Sequence, residues 1–229
     1  MEKQDAMKLY IIPTPIGNLE DITLRALRIL KEIDLIFCED TRTTKNLLKH
    51  YDIHSKCYAY HINNEHKQVE QYVRWILSGQ TAALVSDAGT PGISDPGYLF
   101  IRECLSAGIT IECLPGATAL IPALVASGFP CDKFYFHGFL PHKKGKETAL
   151  KMLSERKETV IFYESPHRLL KTLTLMQKFF PPETQICVSR EISKIYEEHF
   201  RGTIPETLSH FSSKEVKGEI VVTIHNTFL

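Results

Sequence analysis

Three stretches rich in glycine and proline stand out for what their backbone could hold: PTPIGN (residues 13–18), SDAGTPGISDPG (residues 86–97) and LPGAT (residues 114–118). Glycine lets the main chain approach a ligand closely, and proline sets a loop's shape in advance. Each stretch follows a short apolar run. If those runs are strands of a parallel sheet, the loops expose N–H and C=O groups at its carboxyl edge, where open α/β sheets take ligands. An ordinary turn would account for any one of them. Three on one edge, each longer than a tight turn requires, point to a pocket.

Four charged sets stand beside them: CEDTRTTK (Glu39, Asp40, Arg42, Lys45), YESPHR (Glu164, Ser165, His167, Arg168), SREISK (Arg190, Glu191, Lys194) and PHKKGK (Lys143, Lys144, Lys146). Carboxylates there suit proton transfer and cations suit stabilising negative charge. Each has a structural rival. Asp40 ahead of Thr43 and Thr44 fits a helix N-cap. Ser165 and Pro166 fit an N-cap and first helical position. Arg190 fits a structural ion pair, and the lysine run fits a solvated loop. No G-x-G-x-x-G follows the first strand, and no G-x-x-x-x-G-K-[ST], G-x-S-x-G or H-E-x-x-H occurs, so the motifs favour a cradle of backbone without a metal.

The elements that must position these groups alternate through the first half in βα fashion. LYII, LIFC, CYAY, AALVS and ITIECL read as strands, the last two buried. Helices are expected over 23–33, from EDTRTT to about His50, and over 65–78. PGATALIPALVASGFP reads as a loop, a small-residue helix and a glycine stop, which puts a domain boundary near its start: 1–116 and 117–229. Beyond it FYFHGFL, TVIFYES, QICVSRE, EEHFRGT and GEIVVTI alternate as strands of a mixed sheet do. The fold class expected is α/β in two domains, a largely parallel sheet followed by a mixed one.

The 229 residues, 43% hydrophobic, suffice for that core, and 27 basic against 27 acidic residues exclude a global field that would drive binding to nucleic acid or membrane. A basic surface must be local. Six scattered cysteines without C-x-x-C predict reduced thiols. The start, MEKQDAMKLYIIPTP, has too short an apolar run for a signal peptide, and no window suits a membrane span, so a cytoplasmic location is expected.

Together LYIIPTPIGNLEDITLRALRILKEIDLIFCEDTRTTKNLL, LVSDAGTPGISDPG, CLPGATALIPALVASGFP, FHGFLPHKKGK, VIFYESPHRLLKTL, SREISKIYEEHFRGT and VKGEIVVTI resemble the bacterial small-subunit ribosomal RNA cytidine 2′-O-methyltransferases of the tetrapyrrole methylase superfamily. The match spans nearly the whole chain. The resemblance implies a homodimer that binds S-adenosylmethionine in a cleft between two α/β domains and methylates a cytidine ribose of the small ribosomal subunit. Carried over residue by residue, it implies a donor cradle of Pro15, Asp87, Ala88, Gly89, Ile93, Ser94, Gly116, Ala117 and Thr118. Phe162, Tyr163, Gly218 and Glu219 would complete it, with a core position as the rival reading of Phe162.

Such a transfer needs no covalent nucleophile; it needs alignment, helped by a base or a cation at the hydroxyl. Glu39, Asp40, Arg42 and Asp87 are the catalytic candidates, with Asp87 or Glu39 the leading base. Lys143, Lys144, Lys146 and Arg168 are the RNA-contact candidates. Many relatives continue past the strand matching GEIVVTI, so weaker docking or greater reliance on a dimer is expected of a chain ending at Leu229. The rival readings are a methylase of precorrin-like macrocycles and a non-catalytic RNA-binding assembly factor.

Overall fold

The computed structural model describes residues 7–226; the first six residues of the leader reading and the chain's end lie outside them. The chain divides between Thr118 and Ala119 into two compact units.

The first unit alternates β1 (Lys8–Ile12), α1 (Leu24–Glu32), β2 (Leu35–Cys38), α2 (Thr41–His50), β3 (Lys56–Ala59), α3 (Glu65–Leu77), β4 (Ala82–Val85), α4 (Tyr98–Ser106) and β5 (Thr110–Cys113). Its sheet is wholly parallel, ordered β3-β2-β4-β1-β5. Helices cover both faces, so β2 and β4 are buried at every position rather than at alternate ones. On one face Leu9, Phe37 and Leu84 meet Tyr72, Ile76 and Phe100; on the other Ile12, Ile36 and Val85 meet Ala26, Ile29 and Leu48. Phe37 stacks on Tyr72 at 4.3 Å and takes Phe100 edge-on at 5.1 Å. Truncating it to alanine should cost about 3–5 kcal/mol.

Register places the site. Ile12 and Cys38 both pair with Val85, so β1, β2 and β4 end level and their loops start from one line. One expectation changes and one element is added. ITIECL is not a buried strand: β5 lies at the sheet edge, with Thr110 and Cys113 exposed. A helix over 98–106, unannounced by any side-chain cap, follows Gly97.

The second unit runs α5 (Leu120–Ser127), β6 (Phe134–Phe139), α6 (Lys146–Ser154), β7 (Thr159–Glu164), α7 (Leu169–Met176), β8 (Gln185–Arg190), β9 (Glu198–Thr203), α8 (Ile204–Ser212) and β10 (Ile220–His225). Gly128 stops α5 in the left-handed region at φ 76°. The sheet, β6-β7-β10-β8-β9, is mixed: β6 and β7 are parallel and the other pairs antiparallel. Its core joins Val160, Phe162, Val188 and Val222 to Leu150, Leu173 and Phe211. Phe162 is fully buried there, in the core position that was its rival reading.

The six cysteines are free thiols; Cys38, Cys104 and Cys187 are buried, Cys113 and Cys131 exposed. Among the described residues no helix is long and apolar enough to cross a membrane.

Candidate functional site

In the first unit the three glycine-rich loops are stitched into one surface at the carboxyl edge of the sheet. Thr14 and Gly89 exchange backbone hydrogen bonds, each 2.9 Å. The Thr14 hydroxyl donates to the Ser86 carbonyl at 2.9 Å, and the Ser86 hydroxyl to the Gly89 carbonyl at 3.0 Å. Thr90 Oγ1 donates to the Ala117 carbonyl at 3.0 Å, drawing in the third loop. That loop closes on the first only because residue 116 is glycine: a Cβ there would stand 2.7 Å from Pro13 Cβ. Pro15, Asp87, Ala88, Gly89, Gly116, Ala117 and Thr118 therefore belong to connected loops. Ser94 holds φ 67°, a strained value for a non-glycine residue, beside an exposed Ile93.

A fourth loop, after β2, joins through Asp87, whose Oδ1 accepts the Asp40 N–H at 3.0 Å. Asp40 is the N-cap of α2, accepting Arg42 N–H at 2.8 Å, so the capping rival is present. The Arg42 guanidinium also lies on that carboxylate, Nη2 to Oδ2 2.6 Å, and with the cap holds Asp40 at about 2. Arg42 is otherwise exposed, its side chain 88% accessible. Glu39 behaves oppositely: burial first, then the Asp87 charge, push its carboxyl up, while His61 pulls it down.

His61 is the residue the sequence reading missed. It follows the end of β3, where the Tyr60 N–H reaches the Cys38 carbonyl at 2.7 Å. Its Nδ1 is sealed from solvent without a hydrogen-bond partner. The signal was its place after CYAY, on the same carboxyl edge.

In the second unit the charged sets turn inward. Glu164, fully buried, accepts from Lys146 Nζ (3.0 Å), Thr172 Oγ1 (2.6 Å) and Ser165 N–H (2.8 Å), and is ion-paired with Arg168 Nη2 (2.7 Å). Lys146 and Arg168, expected to face RNA, both turn onto this one buried carboxylate, their side chains only 9% and 16% exposed. Ser165 starts a turn, its hydroxyl accepting His167 N–H at 3.3 Å, rather than capping α7, whose N-cap is Arg168. Lys143 and Lys144 stay exposed and form no ion pair among the described residues.

Tyr163 is half-buried between Phe136 (5.0 Å) and Phe139 (5.4 Å). Gly218, at φ +87°, leaves room for the Glu191 carboxylate, which accepts the Glu219 N–H at 3.0 Å and Lys194 Nζ at 2.8 Å. Arg190 makes the structural pair expected of it, 3.0 Å to Glu198.

The family model described as Tetrapyrrole (Corrin/Porphyrin) Methylases matches residues 8–208. A Thermotoga maritima protein named ribosomal RNA small subunit methyltransferase I is 44% identical over 217 residues, 95% of this chain and 97% of its own. The Bacillus subtilis protein of that name is 43% identical over 226 residues, 98% of this chain and 77% of its own. Among solved structures, a cobalt precorrin-4 methyltransferase superposes with TM-score 0.73 at 17% identity, covering 98% of this chain and 97% of its own. A uroporphyrin-III C-methyltransferase from Thermus thermophilus gives 0.66 at 19%, covering 96% and 94%. At such identities the likeness concerns the fold. The parallel and mixed sheets, the match over residues 8–208 and the 44% identity along 95% of the chain agree: this is a methyltransferase of the tetrapyrrole methylase superfamily, belonging to the ribosomal RNA small subunit methyltransferase I family.

Proposed function

We propose that this protein methylates the 2′-hydroxyl of a cytidine ribose in small-subunit ribosomal RNA, with S-adenosylmethionine as donor, as a cytoplasmic homodimer. The observation that carries the reading is the stitched loop surface of the first unit, taken with relatives whose name specifies small-subunit ribosomal RNA.

The residues present fit the donor. Among the described residues Glu39 and Asp87 bond to no cationic side chain, while Asp40 is paired with Arg42, which leaves at the edge negative charge that favours a sulfonium. Ile16 and Ile93 add apolar surface. When bound, the donor supplies a methyl group already activated on positive sulfur. Pro15, Gly89 and residues 116–118 hold and orient it through backbone. Glu39, whose carboxyl is pushed up by burial and by the Asp87 charge, receives the hydroxyl proton; Asp40, held at about 2, is the weaker base. Arg42 steadies negative charge on the attacking oxygen. Lys143 and Lys144 contact phosphates.

The test is transfer of labelled methyl from S-adenosylmethionine to small subunits from cells lacking the protein, followed by nucleoside analysis. A 2′-O-methylated cytidine is expected. Donor binding by calorimetry without incorporation would overturn the substrate and favour a macrocycle.

A further inference from the structure

Strand β6 ends in a bulge. From Phe136 to Phe139 it advances three residues while its partner β7 advances two, Ile161 to Tyr163, and Gly138 takes φ 74° to allow it. Bulges re-aim side chains, and this one puts Phe139 on the same aromatic group as Tyr163 and Phe136. Phe139 is nevertheless 53% exposed, on an edge strand, with its ring braced edge-to-face.

The next residues complete the surface. Leu140 is buried and so is Lys146, locked onto Glu164; between them His142, Lys143 and Lys144 are exposed. Arg168 Nη1 also donates to the Leu140 carbonyl at 3.4 Å. A segment of five residues pinned at both ends presents two lysines beside a braced, exposed ring, and residues 141–146 contain no carboxylate. Aromatic faces stack on unpaired bases and lysines hold the flanking phosphates, a combination that selects single strands over duplex.

We propose that Phe139 is a stacking ledge for an unpaired nucleotide of the RNA substrate, with Lys143 and Lys144 holding the adjoining backbone. The ledge rests on the RNA reading given above and adds to it a requirement for a single-stranded target.

The test is filter binding of the full protein to a short oligocytidylate and to an RNA duplex of equal length, across a range of KCl. Wild type is expected to prefer the single strand. F139A and F139L should each lose roughly ten- to a hundredfold on the single strand, with the salt slope unchanged, whereas F139Y should keep wild-type affinity. The K143A/K144A double variant should weaken binding to both RNAs and lower the single-strand salt slope by about 1.4. Wild type showing no preference, F139L within about twofold of wild type, or F139Y failing like F139A would overturn the ledge. So would an F139A loss traced by sedimentation to a broken dimer. The underlying reading is judged separately, by wild-type methyl incorporation into small subunits: incorporation with an indifferent F139L sinks the ledge alone.

Discussion

The carboxyl edge of the first sheet and the end of β7 in the second are both crowded with polar groups, yet they are held by different forces. At the first, Thr14, Ser86, Gly89, Thr90 and Ala117 are joined mostly through main-chain atoms, and glycine is required where loops close. At the second, one carboxylate gathers an ammonium, a guanidinium, a hydroxyl and an N–H. Backbone stitching should tolerate changes of charge and resist added volume; a buried ion cluster should do the reverse. A polar surface left open to ligands needs the first kind of support, because its side chains stay uncommitted.

Five variants probe that contrast. Glu164→Ala should have the largest effect, about 3–5 kcal/mol in urea denaturation, since it strands the Lys146 and Arg168 charges inside. A near-neutral result would mean packing, not charge, holds this end. Gly116→Ala should cost about 1–3 kcal/mol and weaken donor binding in calorimetry, because Pro13 must move. Gly108→Ala is its control: at φ +77° but with open space around it, that change should cost only about 1 kcal/mol and leave donor binding intact.

A smaller effect concerns acid. Burial pushes the Glu198 carboxyl up, but hydrogen bonds from Lys214, His210 and Arg190 outweigh it and hold the group at about 2. Its folded value lies below the unfolded one, so its contribution is full above about pH 4.5 and lost as pH falls toward 2. Glu198→Gln should flatten the thermal-melt profile across that window. The smallest effect is expected from Asp87→Asn: its oxygen still accepts the Asp40 N–H, so stability should hold. The Glu39 carboxyl should then titrate lower in a carbon-detected NMR experiment, since a neighbouring negative charge is gone.

Much of this was legible in local pattern. LIFC became β2 with the same bounds, and the helix expected over 23–33 is α1, Leu24–Glu32, with Thr23 and Ile33 as its two caps. What escaped was non-local or unsigned. Helix α4 has Gly97 at its N-cap, which offers no capping side chain. ITIEC has the composition of a buried strand, and only the sheet order, in which β5 comes last, exposes it. Lys146 reads as one more lysine in a solvated run until Glu164 and Thr172, distant in sequence, fold over it. His61 was hidden by its ordinary context; its orphaned Nδ1 is a property of packing.

The strand order of the first unit also bears on how the chain is made. β1 pairs with β4 and β5 and with neither β2 nor β3, so Leu9 must wait for Ala82. At roughly 5–20 residues per second, the ribosome delivers that partner several seconds after β1 has been synthesised. During that interval an apolar strand has both edges unpaired, the condition under which nascent chains aggregate or recruit a chaperone.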